Sequence, residues 1–265
     1  MNNMNVAVTL VSTYDMRLVL LSYVIAVFAS YTALDLAGRV TTSHGTSRTF
    51  WWFGGACAMG VGIWSMHFVA MLAFSLSIPI SYDIGITLAS MVAGIIASGI
   101  ALFVVSRKAL SMTQLILGGI FMGAGIGAMH YTGMAAMRMA AKIWYDPALF
   151  AVSIVVAITV SIVALWLAFH LRGETGAVGN LQKIVSALVM GGAIVGMHFT
   201  GQAATNFTPI NTGTALSSEA YQSGNSWLAI AIGIATSFIL GAVLLSSLYS
   251  KHSVAPSARE ASALR

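Results

Sequence analysis

The stretch Met122–Met134 reads MGAGIGAMHYTGM, and two other stretches of the chain closely resemble it. Met59–Met71 reads MGVGIWSMHFVAM, and Met190–Gln202 reads MGGAIVGMHFTGQ. The three align without gaps on Met-Gly-x-(Gly/Ala)-Ile-x-x-Met-His-(Phe/Tyr), and successive copies begin 63 and 68 residues apart. Such self-similarity at a nearly constant period indicates a repeated structural unit. We therefore predict that the chain is built from three related units.

The composition around these copies is that of a membrane protein. Of 265 residues, 58% are hydrophobic and 7% are charged, whereas about a quarter of a soluble domain is charged. Seven apolar segments are long enough to cross about 30 Å of hydrocarbon. These segments cover approximately residues 17–38, 51–74, 84–106, 114–137, 148–170, 183–204 and 227–249. The sequence predicts an all-α membrane protein with seven transmembrane helices, arranged as three two-helix repeats plus a final helix.

The basic residues predict how this bundle is oriented. Nine of the twelve Lys and Arg lie on one side when alternate connections are grouped with the C-terminal tail. The positive-inside rule then places the N-terminus outside and the C-terminus in the cytoplasm. The connection 205–226 is a predicted outer loop. We predict a membrane domain over residues 15–250 and a short cytoplasmic tail, 251–265, without an output domain. Because no basic run is longer than Arg107-Lys108, nucleic acid is not a predicted partner.

His67, His130 and His198 occupy the same position in the three copies, on the even-numbered spans. Each lies about 16 residues from the cytoplasmic end of its span, which is roughly 24 Å along a helix. We therefore expect all three at one depth in the outer leaflet. Parallel repeats related by rotation about the membrane normal would bring them toward an axis. The sequence leaves open whether they form one site or several.

Methionines share the face of each helix that carries the histidine, at about 100° of rotation per residue. Imidazole and thioether ligands together suit copper, and thioethers favour Cu(I). Zinc prefers thiolate, imidazole or carboxylate, and calcium and magnesium need oxygen ligands. We therefore predict a copper site. Its predicted ligands are Met66, His67, Met71, Met129, His130, Met134, Met197 and His198.

Other interpretations stay open at this point. Two of the histidines could ligate haem iron, or all three could serve packing alone, as buried methionines often do. A copper or small-solute transporter would also have internal repeats, but transporters use broken helices and sites near the midplane. No predicted span contains an internal proline. An enzyme is not predicted, because no carboxylate near the motifs can act as a general base.

Two packing features are also predicted from residue spacing. Small residues four apart let helices approach closely in a membrane, as at Gly119, Gly123 and Gly127 of the fourth span. Gly192 and Gly196 of the sixth span have the same spacing. Near the inner end of the first span, an acidic and a basic residue four apart predict an ion pair. These two residues are Asp35 and Arg39.

The run Met129-His130-Tyr131-Thr132 resembles the motif of the bacterial MHYT-domain integral membrane sensors. The resemblance covers about residues 15–250 and rests on the number, placement and spacing of the motifs. It implies a multi-pass protein of the bacterial inner membrane that binds copper through the Met-His pair of each copy. It further implies sensing of a diatomic gas (O2, CO or NO) and signalling to the cytoplasm. Family members often carry an enzymatic output domain, so we expect either a separate cytoplasmic signalling partner or that the chain is part of a longer protein.

Overall fold

A computed structural model describes residues 10–210, 230–247 and 249 of the chain. All seven long helices among these residues are apolar enough to cross a membrane, which confirms the predicted fold class. The helices are α1 Met16–Thr42, α2 Gly45–Ala73, α3 Ile84–Val105, α4 Met112–Ala135, α5 Pro147–Leu171, α6 Gly176–Ala203 and α7 Ile230–Ser247. The orientation in the membrane stays a prediction. The predicted tail, 251–265, and residues 211–226 of the predicted outer loop lie outside the described residues.

Two helices begin six or seven residues earlier than their apolar segments. α2 begins at Gly45 rather than at 51, and α6 begins at Gly176 rather than at 183. Both glycines have left-handed φ angles, 56° and 79°, which an L side chain rarely adopts. Each therefore permits a tight turn from the preceding helix. Hydropathy missed these first turns because they are polar and lie beyond the apolar part of the helix.

The first six helices form a closed ring in chain order, in which α6 packs back against α1. The seventh helix lies outside this ring. Leu240 of α7 is fully buried against Ala29 of α1 and Ala58 of α2. Ser65 of α2 and Thr236 of α7 share a hydrogen bond of 2.6 Å. The bundle thus consists of three helix pairs and one additional helix, as the repeat predicts.

Short strands, which the sequence analysis did not predict, close each unit at the end where the even helices terminate. In every unit the strand before the first helix pairs antiparallel with the strand after the second. The pairs are β1 Ser12–Tyr14 with β2 Phe74–Leu76, β3 Ser81–Tyr82 with β4 Met137–Arg138, and β5 Ala141–Tyr145 with β6 Thr205–Pro209. Each unit is therefore a strand, two helices and a strand.

An aspartate fastens the two helices of each unit together. Its carboxylate accepts a hydrogen bond from a backbone N–H in the first turn of the odd helix, which caps that helix. These caps are Asp15 to Arg17 at 2.9 Å, Asp83 to Ile86 at 3.0 Å and Asp146 to Leu149 at 2.9 Å. The aspartate N–H in turn donates to a carbonyl at the end of the even helix. These acceptors are Ala73 at 2.9 Å, Ala136 at 2.8 Å and Ala204 at 2.8 Å.

Acidification is expected to weaken the cap of α3. The Ile86 N–H and the guanidinium of Arg138, 3.0 Å away, hold the pKa of Asp83 below its usual value. Because the folded-state pKa is depressed, the carboxylate stabilises the fold above its unfolded-state pKa. That contribution is lost as the pH falls through the folded-state pKa. We expect the thermal midpoint in detergent to fall less steeply with acid in Asp83→Asn than in wild type. Parallel acid profiles would contradict this.

Glycines mark the closest helix contacts. Gly119, Gly123 and Gly127 of α4 face three isoleucines of α5, spaced four apart like the glycines themselves, as predicted for α4. The prediction for α6 was wrong, because a Cβ on Gly196 would meet nothing within 4 Å. Gly191 is the glycine of α6 that packs closely, since a Cβ on it would lie 2.9 Å from the backbone N of Val27 in α1.

The close-packing glycine is the same residue of the motif in every unit, directly after its first methionine. Each copy presses the even helix of one unit against the odd helix of the next. The pairs are Gly60 with Ile95, Gly123 with Ile158 and Gly191 with Val27. The motif glycine therefore forms the seam between neighbouring units and closes the ring.

Candidate metal centre

The side chains of His67, His130 and His198 meet inside the ring. The Nδ1 atom of His67 lies 2.9 Å from Nδ1 of His198 and 3.2 Å from Nδ1 of His130. The ring centroids are 4.9–5.1 Å apart, and each residue is only 1% exposed. The histidines therefore form one shared cluster rather than three separate sites.

The cluster lies near the end of the bundle that carries the strands. His67 is six residues before the end of α2 at Ala73. His130 and His198 are each five residues before the ends of α4 and α6. The equal placement follows from the repeat, because the aspartate described above anchors each even helix at its end.

Hydrogen bonding alone does not satisfy this cluster. A neutral imidazole has one N–H and one lone pair on its two nitrogens. With the Nδ1 atoms turned toward one another, all three Nε2 atoms are buried and none has a hydrogen-bond partner among the described residues. A buried polar atom without a partner costs stability. A cation bound between the Nδ1 atoms would account for their close approach, with the N–H of each ring on Nε2.

The distances fit coordination of one metal ion by three imidazoles. A metal–imidazole bond of about 2.0–2.1 Å places two ligand nitrogens of a four-coordinate ion about 3.3 Å apart. The Nδ1 separations of 2.9 and 3.2 Å are close to that value. Ligand atoms from all three residues lie within 4.8 Å of one another. Three imidazoles this close together are a donor set for a transition metal.

Glycines of neighbouring units lie against the outer edges of two rings. A Cβ on Gly133 of α4 would overlap with Nε2 of His67, and a Cβ on Gly201 of α6 would overlap with Nε2 of His130. Both glycines are three residues after the motif histidine of their own unit. The sequence analysis missed this role. The signal was present, because glycine recurs at that position in two of the three copies.

Aromatic pairs cover the cluster on the strand side. The residue after each motif histidine contacts a tyrosine that precedes a capping aspartate. The pairs, with ring centroids 5.1, 5.2 and 5.6 Å apart, are Phe68 with Tyr82, Tyr131 with Tyr145 and Phe199 with Tyr14. Burial raises the pKa of Tyr14 and of Tyr145, so both phenols are neutral at physiological pH. The Tyr-Asp dipeptide recurs once in each unit, and the sequence analysis overlooked it.

The predicted methionine ligands divide into two groups. Met66 and Met197, which precede histidines of the cluster, line a cavity in the centre of the bundle. Met129, the equivalent residue of the second unit, is fully buried in the main core. Met71 and Met134 instead pack with aromatic and aliphatic residues beneath the strands. Metal ligation by these sulfurs stays a prediction.

Polar side chains are also buried outside the histidine cluster. Gln202 replaces the later methionine in the third unit and is buried, with no amide partner in the described part of the chain. Far along the bundle, Ser247 of α7 joins the acidic and basic residues predicted to pair. Its hydroxyl donates to Asp35 at 2.5 Å and accepts from Arg39 Nε at 2.7 Å. Ser247 thus bridges the two residues, and a direct ion pair between Asp35 and Arg39 stays a prediction.

These features define a three-unit, multi-pass membrane domain with one buried histidine cluster. The chain belongs to the MHYT family, described as a bacterial signalling protein N-terminal repeat, which matches residues 1–49, 60–118 and 123–179. It is therefore a sensory signalling domain of the bacterial inner membrane.

Three relatives illustrate where such domains occur. The chain is 46% identical over 239 residues to the bifunctional diguanylate cyclase/cyclic di-GMP phosphodiesterase MucR of Pseudomonas aeruginosa, covering 90% of this chain and 34% of the relative. It is 43% identical over 192 residues to the cyclic di-GMP phosphodiesterase NbdA of the same species, covering 72% and 24%. It is 41% identical over 196 residues to the signaling protein YkoW of Bacillus subtilis, covering 74% and 24%. The chain thus spans about a third of these relatives or less, and no solved structure matches it.

Proposed function

We propose that this domain binds copper at the histidine cluster, senses a diatomic gas (O2, CO or NO) or redox state there, and signals to the cytoplasm. The observation that carries the proposal is the convergence of three imidazole Nδ1 atoms in a buried, membrane-embedded position. Bound copper would supply a redox-active centre to which such gases bind. His67, His130 and His198 would hold it.

The surroundings favour copper over zinc. Three imidazoles also suit zinc, but methionine is a poor zinc ligand and a good ligand for Cu(I). Met66 and Met197 each precede one of the histidines in the chain and are buried, with 1% and 4% exposure. The metal-ligand group found among the described residues contains no carboxylate. A low-charge, soft cation fits this environment better than a hard one.

The position of the cluster supports sensing rather than transport. Transport sites usually lie near the membrane midplane, between broken helices. Here the histidines lie five or six residues from the ends of α2, α4 and α6, and these helices are continuous. Aromatic pairs cover the cluster on its strand side. A site of this kind retains its ion rather than passing it on.

α7 is the proposed route of the signal. The Ser65–Thr236 hydrogen bond ties α7 to α2 only two residues from His67. Ser247 ties the far end of α7 to Asp35 and Arg39 of α1. A change in packing at the cluster would bias the position of α7 between two states. The names of two relatives denote cyclic di-GMP enzymes, so we propose that the regulated output is cyclic di-GMP turnover.

Copper analysis of the purified full chain tests the proposal. After loading with Cu(I) and gel filtration, we expect stoichiometric copper in wild type, measured by elemental analysis. Single His→Gln changes at residues 67, 130 and 198 should each lower copper affinity at least about tenfold, because each removes one ligand. His170→Gln is the matched control, since His170 is an exposed histidine of α5. It should leave copper binding unchanged.

The result can also contradict the proposal directly. A triple variant carries His→Gln at residues 67, 130 and 198. If it and wild type have equal helical circular dichroism and carry equally little copper, the metal centre is excluded. If His170→Gln loses as much copper as the cluster variants, copper binds nonspecifically to histidines at the protein surface. If the protein retains zinc in preference to copper under competition, copper is excluded as the bound metal.

A further inference from the structure

An internal cavity of about 70 Å³ lies at the centre of the helix ring. Its wall repeats with the three units, because the first methionine and the isoleucine of every motif copy contribute to it. These residues are Met59, Met122, Met190, Ile63, Ile126 and Ile194. The odd helices contribute alanines at the same level. Alanine is short, so these positions leave space between the larger side chains of the wall.

The size and polarity of the cavity define what fits. Its volume exceeds the roughly 30 Å³ that a water molecule occupies in the liquid and is about half of a 150 Å³ cavity that binds benzene. Apart from the hydroxyls of Ser30 and Ser161 the wall is apolar, which favours an apolar occupant over water, since water needs two or more polar partners. The matching occupant is an apolar molecule of two or three heavy atoms.

Two wall residues carry a hydroxyl group, Ser30 of α1 and Ser161 of α5. Ser30 of α1 lines the cavity and is 3% exposed, and its Oγ has no hydrogen-bond partner within the described chain. By contrast, Ser22 of the same helix donates to the carbonyl of Val19 at 2.7 Å. A buried hydroxyl without a partner is costly. Ser30 can donate to an occupant that carries a weak acceptor atom.

The cavity reaches the level of the metal centre. Met66 and Met197 belong to its wall, and each is the neighbour in sequence of a histidine in the cluster. One end of the cavity therefore lies next to the level of the imidazoles, while the wall extends along the bundle as far as Ala168.

We infer that this cavity is a binding site for a small apolar molecule with a weak hydrogen-bond acceptor, the chemistry that O2, CO and NO share. It would raise the local concentration of such a molecule beside the histidines. The identity of the natural occupant rests on the proposed sensory function, but binding in the cavity requires no copper.

Xenon tests the site in the copper-free full chain. We expect saturable xenon binding to wild type in detergent, detected by ¹²⁹Xe exchange NMR, and its loss in Ala157→Leu. Ala157 is a wall residue of α5 that is 3% exposed, and leucine there adds three carbons that fill the space. The matched control is Ala151→Leu, on the exposed face of the same helix, which should bind xenon as wild type does.

A second wall variant keeps the test decisive. Ala101→Val on α3 fills another part of the wall with a smaller change and replaces Ala157→Leu if that variant loses its helical circular dichroism. Absence of saturable xenon in wild type, or unchanged binding in the folded wall variants, would overturn the inference. Xenon binding in a chain that takes up no copper would retain the cavity and reject the metal centre. Copper binding without saturable xenon binding would retain the metal centre and reject the cavity.

Carbon monoxide tests the hydroxyl within the same samples. We expect the infrared stretch of CO bound in the copper-free cavity to shift in Ser30→Ala, because the donor is removed. An identical stretch in both proteins would reject hydrogen bonding by Ser30.

Discussion

Gly201→Ala is expected to lower copper affinity by about 10- to 100-fold, a typical effect of disturbing the residues that orient a metal ligand. A Cβ at this position would overlap with Nε2 of His130 and would lie 3.0 and 3.1 Å from its ring carbons Cδ2 and Cε1. The ring is 1% exposed and enclosed on all sides, so it has to turn away from the cluster. Competition titration against a Cu(I) chelator measures the change.

Gly196→Ala is the matched control, five residues earlier on the same helix. A Cβ there would meet nothing within 4 Å, and alanine in a helix interior is favoured over glycine by up to about 1 kcal/mol. Copper affinity should therefore match wild type. Gly133→Ala should reproduce the Gly201→Ala effect through His67, because it overlaps with that ring in the same way. Equal affinities of Gly201→Ala and Gly196→Ala would show that the glycine does not position His130.

The units and helices were predictable from sequence because both leave long-range patterns. Hydropathy marks apolar segments of about 20 residues, and three copies of one motif define the repeat. The strands were not predictable, since β3 and β4 have only two residues each and show no periodicity. The Tyr-Asp dipeptide was visible but short, and its meaning depends on the strands and caps around it.

The histidine cluster was only partly predictable. Equal depth follows from counting along helices, but convergence depends on the rotation of each helix about its own axis. The glycines of α6 show how sensitive that rotation is. Gly191 packs against α1, whereas a Cβ on its neighbour Gly192 would be 3.8 Å from the nearest atom, the Cε2 of Tyr23. A shift of one residue turns the side-chain direction by about 100° around the helix axis. The spacing of small residues therefore identifies a helix that packs closely but not the face that makes the contact.

The methionine prediction shows the same difficulty. Met71 lies on the broad face predicted for His67, yet it is four residues nearer the end of α2. That extra turn, about 6 Å, places it beneath the strands with Phe74 and Ile80 rather than in the central cavity. A face on a helical projection covers a whole length of helix. Only the tertiary structure shows which level of the bundle each residue reaches.

Gly60→Ala is expected to lower the free energy of unfolding by about 1–3 kcal/mol, the usual cost of overpacking a well-packed contact. The new Cβ would overlap with Cα of Ile95 and lie 2.6 Å from its backbone N. Because the obstacle is backbone, a side-chain rotation cannot relieve the overlap and α2 must move away from α3. Equilibrium unfolding in mixed micelles, followed by circular dichroism, measures the loss.

Gly54→Ala, six residues earlier on α2, separates this steric effect from helix propensity. A Cβ on Gly54 would meet nothing within 4 Å, so its variant should be as stable as wild type or slightly more stable. Equal stability of the two variants would show that the seam tolerates a methyl group. If Gly60→Ala opens the seam, His67 moves with α2 away from His130, and copper affinity should fall together with stability. The motif glycine and the motif histidine would then depend on the same contact between units.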